Sequence, residues 1–284
     1  MSQSTRPFTV LITGATDGIG LALARLYAAQ GARLILVGRK PLAALAGTAV
    51  ADAPAADADL FTPTTYCQAD LSAPECHLVI GAWLTDHQIE RLDVVIHNAG
   101  LGYVGDLARH DAESIAQLVA VNVRAPIAVT HQLLPLVAAA HGKMVYISSV
   151  AAVLPGPDYA VYTATKAALD GFVRNLRIEL NAAKRPVTVQ LIHPGATRTG
   201  MHAKSGLSQA RVDWTTFPPA EQVAQEIERI IRAGSRRRAV GLTNRLGLAA
   251  GLAVPGLIDG IMVRGSRRKG GPTSQVDTSL VDTS

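Results

Sequence analysis

The feature that most constrains this chain is a regular alternation. From residue 8 to residue 242, short strand-like apolar runs are each followed by a helix-like stretch. Strands are expected at Phe8–Thr13, Arg33–Val37, Thr64–Gln68, Leu92–His97, Lys143–Ser148 and Val187–Ile192, with Arg238–Leu242 as a seventh, edge strand. Gly18–Gln30 carries Ile19, Leu23, Leu26 and Tyr27 at helical spacing, and Pro41 suits the first turn of the next helix. Further helices are expected near Pro74–His87 and over Glu113–Val137, Tyr159–Ala183 and Pro219–Ala233. Such alternation requires right-handed crossovers between parallel strands, with helices on both faces. The palette agrees: 48% hydrophobic, 17% charged and only 4% aromatic residues suit strands buried on both sides. The predicted fold is therefore α/β, one doubly wound domain over 1–242 with a mostly parallel seven-stranded sheet.

Cys67 and Cys76 make no CxxC pair, and the eight histidines show no metal-binding spacing, so no metal is expected. The polar N-terminal stretch Met1–Pro7 and the lack of a long uncharged apolar run point to a cytoplasmic protein. The net charge of +5 is local. Arg236 to Lys269 holds eight basic residues against Asp259 alone, a charge of +7, so no nucleic-acid surface is expected across the fold. Within that stretch, 243–269 is apolar, Gly-rich and flanked by arginines. It is open between a peripheral contact with an anionic membrane and a helix that closes a pocket or joins a dimer. Residues 270–284 lack periodicity and are expected to be disordered.

The chemistry begins at Gly14, Gly18 and Gly20, in a loop that leaves the first strand and opens a helix. Glycines there let the backbone approach a pyrophosphate held at the helix N-terminus. At the end of strand two, where an acid would accept a ribose 2′-hydroxyl, the chain places Arg39 and Lys40. These cations can pair with a 2′-phosphate, or simply sit solvated at the head of a helix. Tyr162 and Lys166 lie four residues apart on a helix, so phenol and ammonium share a face, and the cation is expected to lower the tyrosine's pKa. Asp70, Asn98-Ala99-Gly100, Ser148-Ser149 and His193-Pro194-Gly195 all stand at carboxyl ends of strands, where open α/β sheets bind ligands.

Together these motifs resemble the short-chain dehydrogenase/reductase family, in its TGxxxGxG and YxxxK branch, over about residues 8–242. The resemblance implies a Rossmann-type domain that binds NADP(H) and interconverts a carbonyl and an alcohol on a small molecule. It implies Tyr162 as acid/base with Lys166 as its partner, Ser149 rather than Ser148 as the substrate-orienting hydroxyl, and Asn122 holding a relay water. The cofactor is expected against Gly14, Thr16, Asp17, Gly18, Ile19 and Gly20, then Arg39, Lys40, Asp70 and Leu71. It continues over Asn98, Ala99 and Gly100, and along Tyr162, Lys166, Pro194, Gly195, Thr197 and Thr199. His97 departs from the family pattern and reads as a packed residue. Met201, Leu207, Trp214 and Phe217 suggest a lipophilic substrate, or merely a packed loop. A homodimer or homotetramer through the two long helices is implied as well. A non-catalytic NADP(H) sensor, or an enzyme working in the oxidative direction, would share these residues.

Overall fold

The computed structural model describes residues 7–46, 60–199 and 216–268. Met201, Leu207 and Trp214 of the expected substrate cover, Lys269, and the stretch 270–284 lie outside the described residues. Seven strands are present: β1 Thr9–Thr13, β2 Arg33–Gly38, β3 Tyr66–Gln68, β4 Val94–His97, β5 Lys143–Ile147, β6 Thr188–His193 and β7 Arg237–Ala239. They form one sheet in the order β3-β2-β1-β4-β5-β6-β7, every neighbouring pair parallel. The chain winds outward from β1 to β3, then returns to the other side of β1 as β4. A crevice therefore opens at the carboxyl ends of β1 and β4, the point where ligands of such sheets bind.

The helices are α1 Gly18–Ala29, α2 Leu42–Ala46, α3 Cys76–Asp86, α4 Ala112–Val119, α5 Ala125–Ala139, α6 Ala160–Ala182 and α7 Ala220–Arg232. Two more, α8 Leu242–Ala253 and α9 Pro255–Arg268, follow β7. Alternate strand residues go to opposite faces of the sheet. Leu11, Val95 and Tyr146 meet Ile80 of α3, Leu133 of α5 and Val173 of α6. Val10, Ile96 and Val145 meet Leu23 of α1 and Ile227 of α7. In α6 the buried stripe Leu169, Val173, Leu176 and Leu180 follows helical spacing, which is what docks this helix along the sheet.

Two expected elements are corrected. The segment Glu113–Val137 is not one regular helix, because a π-helical turn over Ala120–Arg124 separates α4 from α5. The wider turn carries Asn122 into the interior, and a single inserted residue leaves the apolar periodicity nearly unchanged. The seventh strand also ends at Ala239 instead of running to Leu242. Gly241 takes φ +83°, outside the extended region, and its N–H donates to Glu226 Oε1 at 2.9 Å, so Leu242 starts a helix. The first turns of α8 bond back to the domain, with Asn244 Nδ2 donating to Val240 O at 2.7 Å and Arg245 donating to Glu226 at 3.1 Å.

His97 is packed beneath the sheet, stacked on Tyr146 with ring centroids 4.7 Å apart. Burial pushes its pKa down to about 3, so the ring is neutral at working pH. One hydroxyl serves both rings: Thr130 Oγ1 lies 3.1 Å from His97 Nε2 and 2.7 Å from Tyr146 Oη. Thr130→Val should strand two buried polar atoms and destabilise the chain by about 1–3 kcal/mol for each in urea unfolding. An unchanged unfolding midpoint would contradict this account of the network.

Candidate active site

The crevice is built by a latch between β1 and β4. Thr13 Oγ1 accepts from the backbone N–H groups of Asn98 and Ala99, both at 3.1 Å. Asn98 Nδ2 donates to Thr13 O at 3.1 Å and Gly14 O at 3.2 Å. The Asn98 amide is thus engaged in holding the glycine loop in shape. Gly14 and Gly18 have φ of +66° and +52°, a region that L side chains rarely occupy. A Cβ at Gly14 would lie 2.8 Å from Ala99 Cα, and one at Gly18 would lie 2.9 Å from Thr199 Cγ2. Both positions therefore need glycine, and the loop after β6 is drawn down onto the N-terminal end of α1. Thr16 stands against Gly38 at the end of β2, Asp17 occupies the N-cap position of α1, and Ile19 and Gly20 fill its first turn.

The other expected cofactor contacts surround this loop. Arg39 and Lys40 are exposed directly after β2. Asp70 is exposed too, and its Oδ1 accepts from Ser72 N at 2.9 Å and Ser72 Oγ at 2.8 Å. Those bonds, assisted by the nearby Arg39 charge, hold its carboxyl below the usual range. Leu71 and Ala99 line a small cleft with Thr13 and Val121, and Gly100 follows Ala99 on the same loop. Beyond β6, Pro194 O accepts from Val150 N at 3.0 Å, Thr197 Oγ1 donates to Gly195 O at 3.1 Å, and Gly195 packs against Asn244 of α8. The arrangement fits a dinucleotide: a positive helix terminus, a backbone cradle with no room for side chains, and cations at the end of β2.

At the other end of the crevice stand the residues of β5 and α6. The consecutive serines part company: Ser148 Oγ donates to Asp170 Oδ1 at 2.6 Å, whereas Ser149 caps a short 3-10 turn, its Oγ accepting from Ala151 N at 3.1 Å, and stands near the Tyr162 phenol. Lys166 is buried and donates from Nζ to Ile147 O at 3.1 Å. Its Nζ lies 5.9 Å from the Tyr162 ring centroid. Burial lowers the ammonium's pKa to about 8, opposed by the Asp170 carboxylate. For Tyr162 the expectation is corrected. Its pKa is raised, because desolvation by burial outweighs the lowering by the nearby Ser149 hydroxyl, and the Lys166 ammonium lies 5.9 Å from the ring centroid.

Asn122 has its whole amide in use. Its Nδ2 donates to Leu101 O at 2.9 Å and Thr165 Oγ1 at 3.0 Å, and its Oδ1 accepts from Leu101 N at 2.8 Å. It clamps the loop after β4 to the residue preceding Lys166. Two features escaped sequence reasoning. Asp170, one turn beyond Lys166, lies 2.7 Å from His193 Nε2, receives the Ser148 hydroxyl and pairs with Arg237 at 3.0 Å. A shallow recess beside Tyr162 is lined by Tyr103, Leu107, His110 and Val161, with Tyr103 stacked on His110 at 3.7 Å. Helical spacing from Lys166 points to the first feature; no local pattern marks the second.

Comparison with known proteins agrees with this geometry. The short chain dehydrogenase family model matches residues 8–210. A Drosophila melanogaster protein, dehydrogenase/reductase SDR family protein 7-like, is 32% identical over 216 residues, 73% of this chain and 64% of that relative, so the match leaves about a third of the relative's length uncovered. Among solved structures, a short chain dehydrogenase from Escherichia coli CFT073 complexed with NADPH is 27% identical, covering 82% of this chain and 95% of the other with a TM-score of 0.69. A 3-ketoacyl-(acyl-carrier-protein) reductase from Brucella melitensis complexed with NADH shares the fold at 22% identity, covering 82% and 96% with a TM-score of 0.66. With its family model, its parallel seven-stranded sheet and its crevice residues in agreement, the chain belongs to the short-chain dehydrogenase/reductase family.

Proposed function

We propose that the chain is an NADP(H)-dependent oxidoreductase that interconverts a carbonyl and a secondary alcohol on a lipophilic small molecule. The observation that carries this reading is the buried Lys166 ammonium, held by Ile147 O and 5.9 Å from the Tyr162 ring centroid, beside the turn that Ser149 caps. When bound, the nicotinamide supplies or accepts the hydride. The protein supplies the proton and the field. Burial keeps the Tyr162 phenol protonated, so it suits the role of acid toward a carbonyl oxygen, with Ser149 as a second donor to the same atom. The Lys166 cation stabilises negative charge developing on the phenol and stands within reach of the nicotinamide ribose in this reading. Asn122 clamps the loop after β4 to α6, and with its amide engaged a relay water there would bind its main-chain carbonyl. The recess beside Tyr162 is mixed, with Leu107 and Val161 beside His110 and Asp158, and its apolar part supports a lipophilic substrate.

Fold alone does not choose between NADPH and NADH, since structures of this fold carry either. Arg39 and Lys40 support the phosphorylated cofactor, because no acid follows β2 to accept a ribose hydroxyl. A homo-oligomer is supported by Val119, Ile127 and Ile178, apolar side chains exposed on α4, α5 and α6.

Tyr162→Phe should bind NADPH nearly as well as the parent yet turn over a ketone or aldehyde panel at least ~100-fold more slowly. Near-parental turnover would remove Tyr162 from the proton-transfer role. Replacing Arg39 and Lys40 together by alanine should raise the KM for NADPH by about tenfold or more, the scale of one lost charge-assisted hydrogen bond. The KM for NADH should hold steady in the same assay, and equal losses for both cofactors would argue against a 2′-phosphate contact. Lys166 adds a pH signature. Its folded pKa of about 8 lies below the ordinary 10.5, so between those values the unfolded chain binds the extra proton and this site's contribution to stability rises with pH. Urea midpoints of the parent should therefore gain on those of Lys166→Met across that window, and parallel pH curves would contradict a buried titrating ammonium.

A further inference from the structure

Helices α8 and α9 carry more apolar surface outward than they use inward. Among the described residues, eight of the fifteen exposed large hydrophobic side chains lie between Leu242 and Val263, a concentration that scattered surface residues do not produce. In α8 the inward stripe is Asn244, Leu248 and Gly251, set against β7 and the turn bearing Val153 and Leu154. The opposite stripe, Leu242, Leu246, Ala249 and Ala253, follows the same helical spacing and is exposed along its length. Pro255 ends α8, and the chain bends by 113° into α9. At 3.6 residues per turn, Leu257, Ile258, Ile261 and Met262 share one face of α9, and Asp259 lies on the other. Leu257, Ile261 and Met262 are exposed, as is Arg264 just beyond them.

Two occupants compete for this face. A second copy of the chain in a two-fold contact would set the patch against itself. It would also bring together two copies of the basic sequence Arg264, Arg267, Arg268 and Lys269. Like charges brought together oppose such a contact. A surface that is apolar beneath and anionic on top matches both features at once. Among the described residues no single helix is long and apolar enough to cross a membrane, and the pair passes that test only as a bent unit. A bend of this size, with the sequence Arg264, Arg267, Arg268 and Lys269 at its end, suits lying in an interface.

We propose that α8 and α9 form a docking face for an anionic membrane surface, with their outward apolar stripes in the headgroup boundary and the arginines on the lipid phosphates. The inward stripe of α8 rests on the turn that follows Ser149, so the lipid surface would lie near the site. This inference does not depend on which cofactor or substrate the enzyme uses.

The test is flotation of the full-length protein with equimolar phosphatidylglycerol and phosphatidylcholine vesicles, against vesicles of phosphatidylcholine alone. The chain should float with the anionic vesicles, at least about tenfold more than with the neutral ones, and high salt should weaken this binding. The double variant Leu257→Glu, Ile261→Glu changes only exposed positions. It should lose vesicle binding by about tenfold or more, as two buried apolar anchors are removed, while its NADPH affinity and thermal midpoint stay at the parent's values. Equal flotation of parent and variant, or no flotation of the parent, would overturn the proposal. Sedimentation velocity provides the other arm: a parent that ignores vesicles but falls to a smaller species on the double substitution assigns the face to a second copy instead.

Discussion

A buried ammonium organises the active end of this protein. Taking a lysine charge out of water costs several kcal/mol unless the surroundings return it. Here the return comes from the carbonyl of Ile147 at the end of β5 and from the Asp170 carboxylate one helical turn on. Asp170 can sit in the interior because it is itself held by Ser148, His193 and Arg237, which come from the ends of β5, β6 and β7. The cation that the proposed chemistry uses is thus supported by a carboxylate that ties three adjacent strands to α6. Stability and catalysis draw on the same network at this point, so the helix bearing Tyr162 cannot shift without disturbing the sheet edge.

The cofactor half rests on a different device. A threonine hydroxyl and an asparagine amide shape the glycine loop by occupying backbone groups at the ends of β1 and β4. Asn98 reaches two carbonyls of the loop while Thr13 takes two N–H groups of the neighbouring strand. The two halves then meet through Asn122, whose amide joins the loop after β4 to Thr165, next to Lys166. A π-helical turn places that amide, and such turns, rare elsewhere, recur at functional sites because they aim one side chain out of helical register.

Much of this was legible in the sequence, for a definable reason. Strand order follows from alternation and crossover handedness, and the strand-end residues follow from where each apolar run stops. Tyr162 and Lys166 are legible because four residues make one helical turn. What stayed hidden depends on partners far along the chain. The expected fall in the Tyr162 pKa considered only the nearby charge, whereas burial, set by the loops around it, moves the phenol the other way. The hold of the Asn98 amide on carbonyls more than eighty residues upstream likewise has no local signal. The recess lined by Tyr103 and His110 is formed by a loop with no periodicity to betray it.

The C-terminal helices show how the same reasoning separates two kinds of apolar residue. Leu248 and Gly251 are apolar because α8 must lie close on the domain, and a larger residue at 251 would strike Val153 and Leu154. Leu246, Leu257 and Ile261 are exposed and have no such duty among the described residues. An exposed leucine alone needs no explanation, since apolar atoms make up much of any protein surface. A stripe of them, repeated across a bend and closed off by arginines, is different. Water gives such an arrangement nothing, and each apolar side chain that finds cover would contribute about 1.5–3 kcal/mol. In the membrane proposal that cover is a surface outside the described fold, and the basic residues beside the stripe favour a negatively charged one.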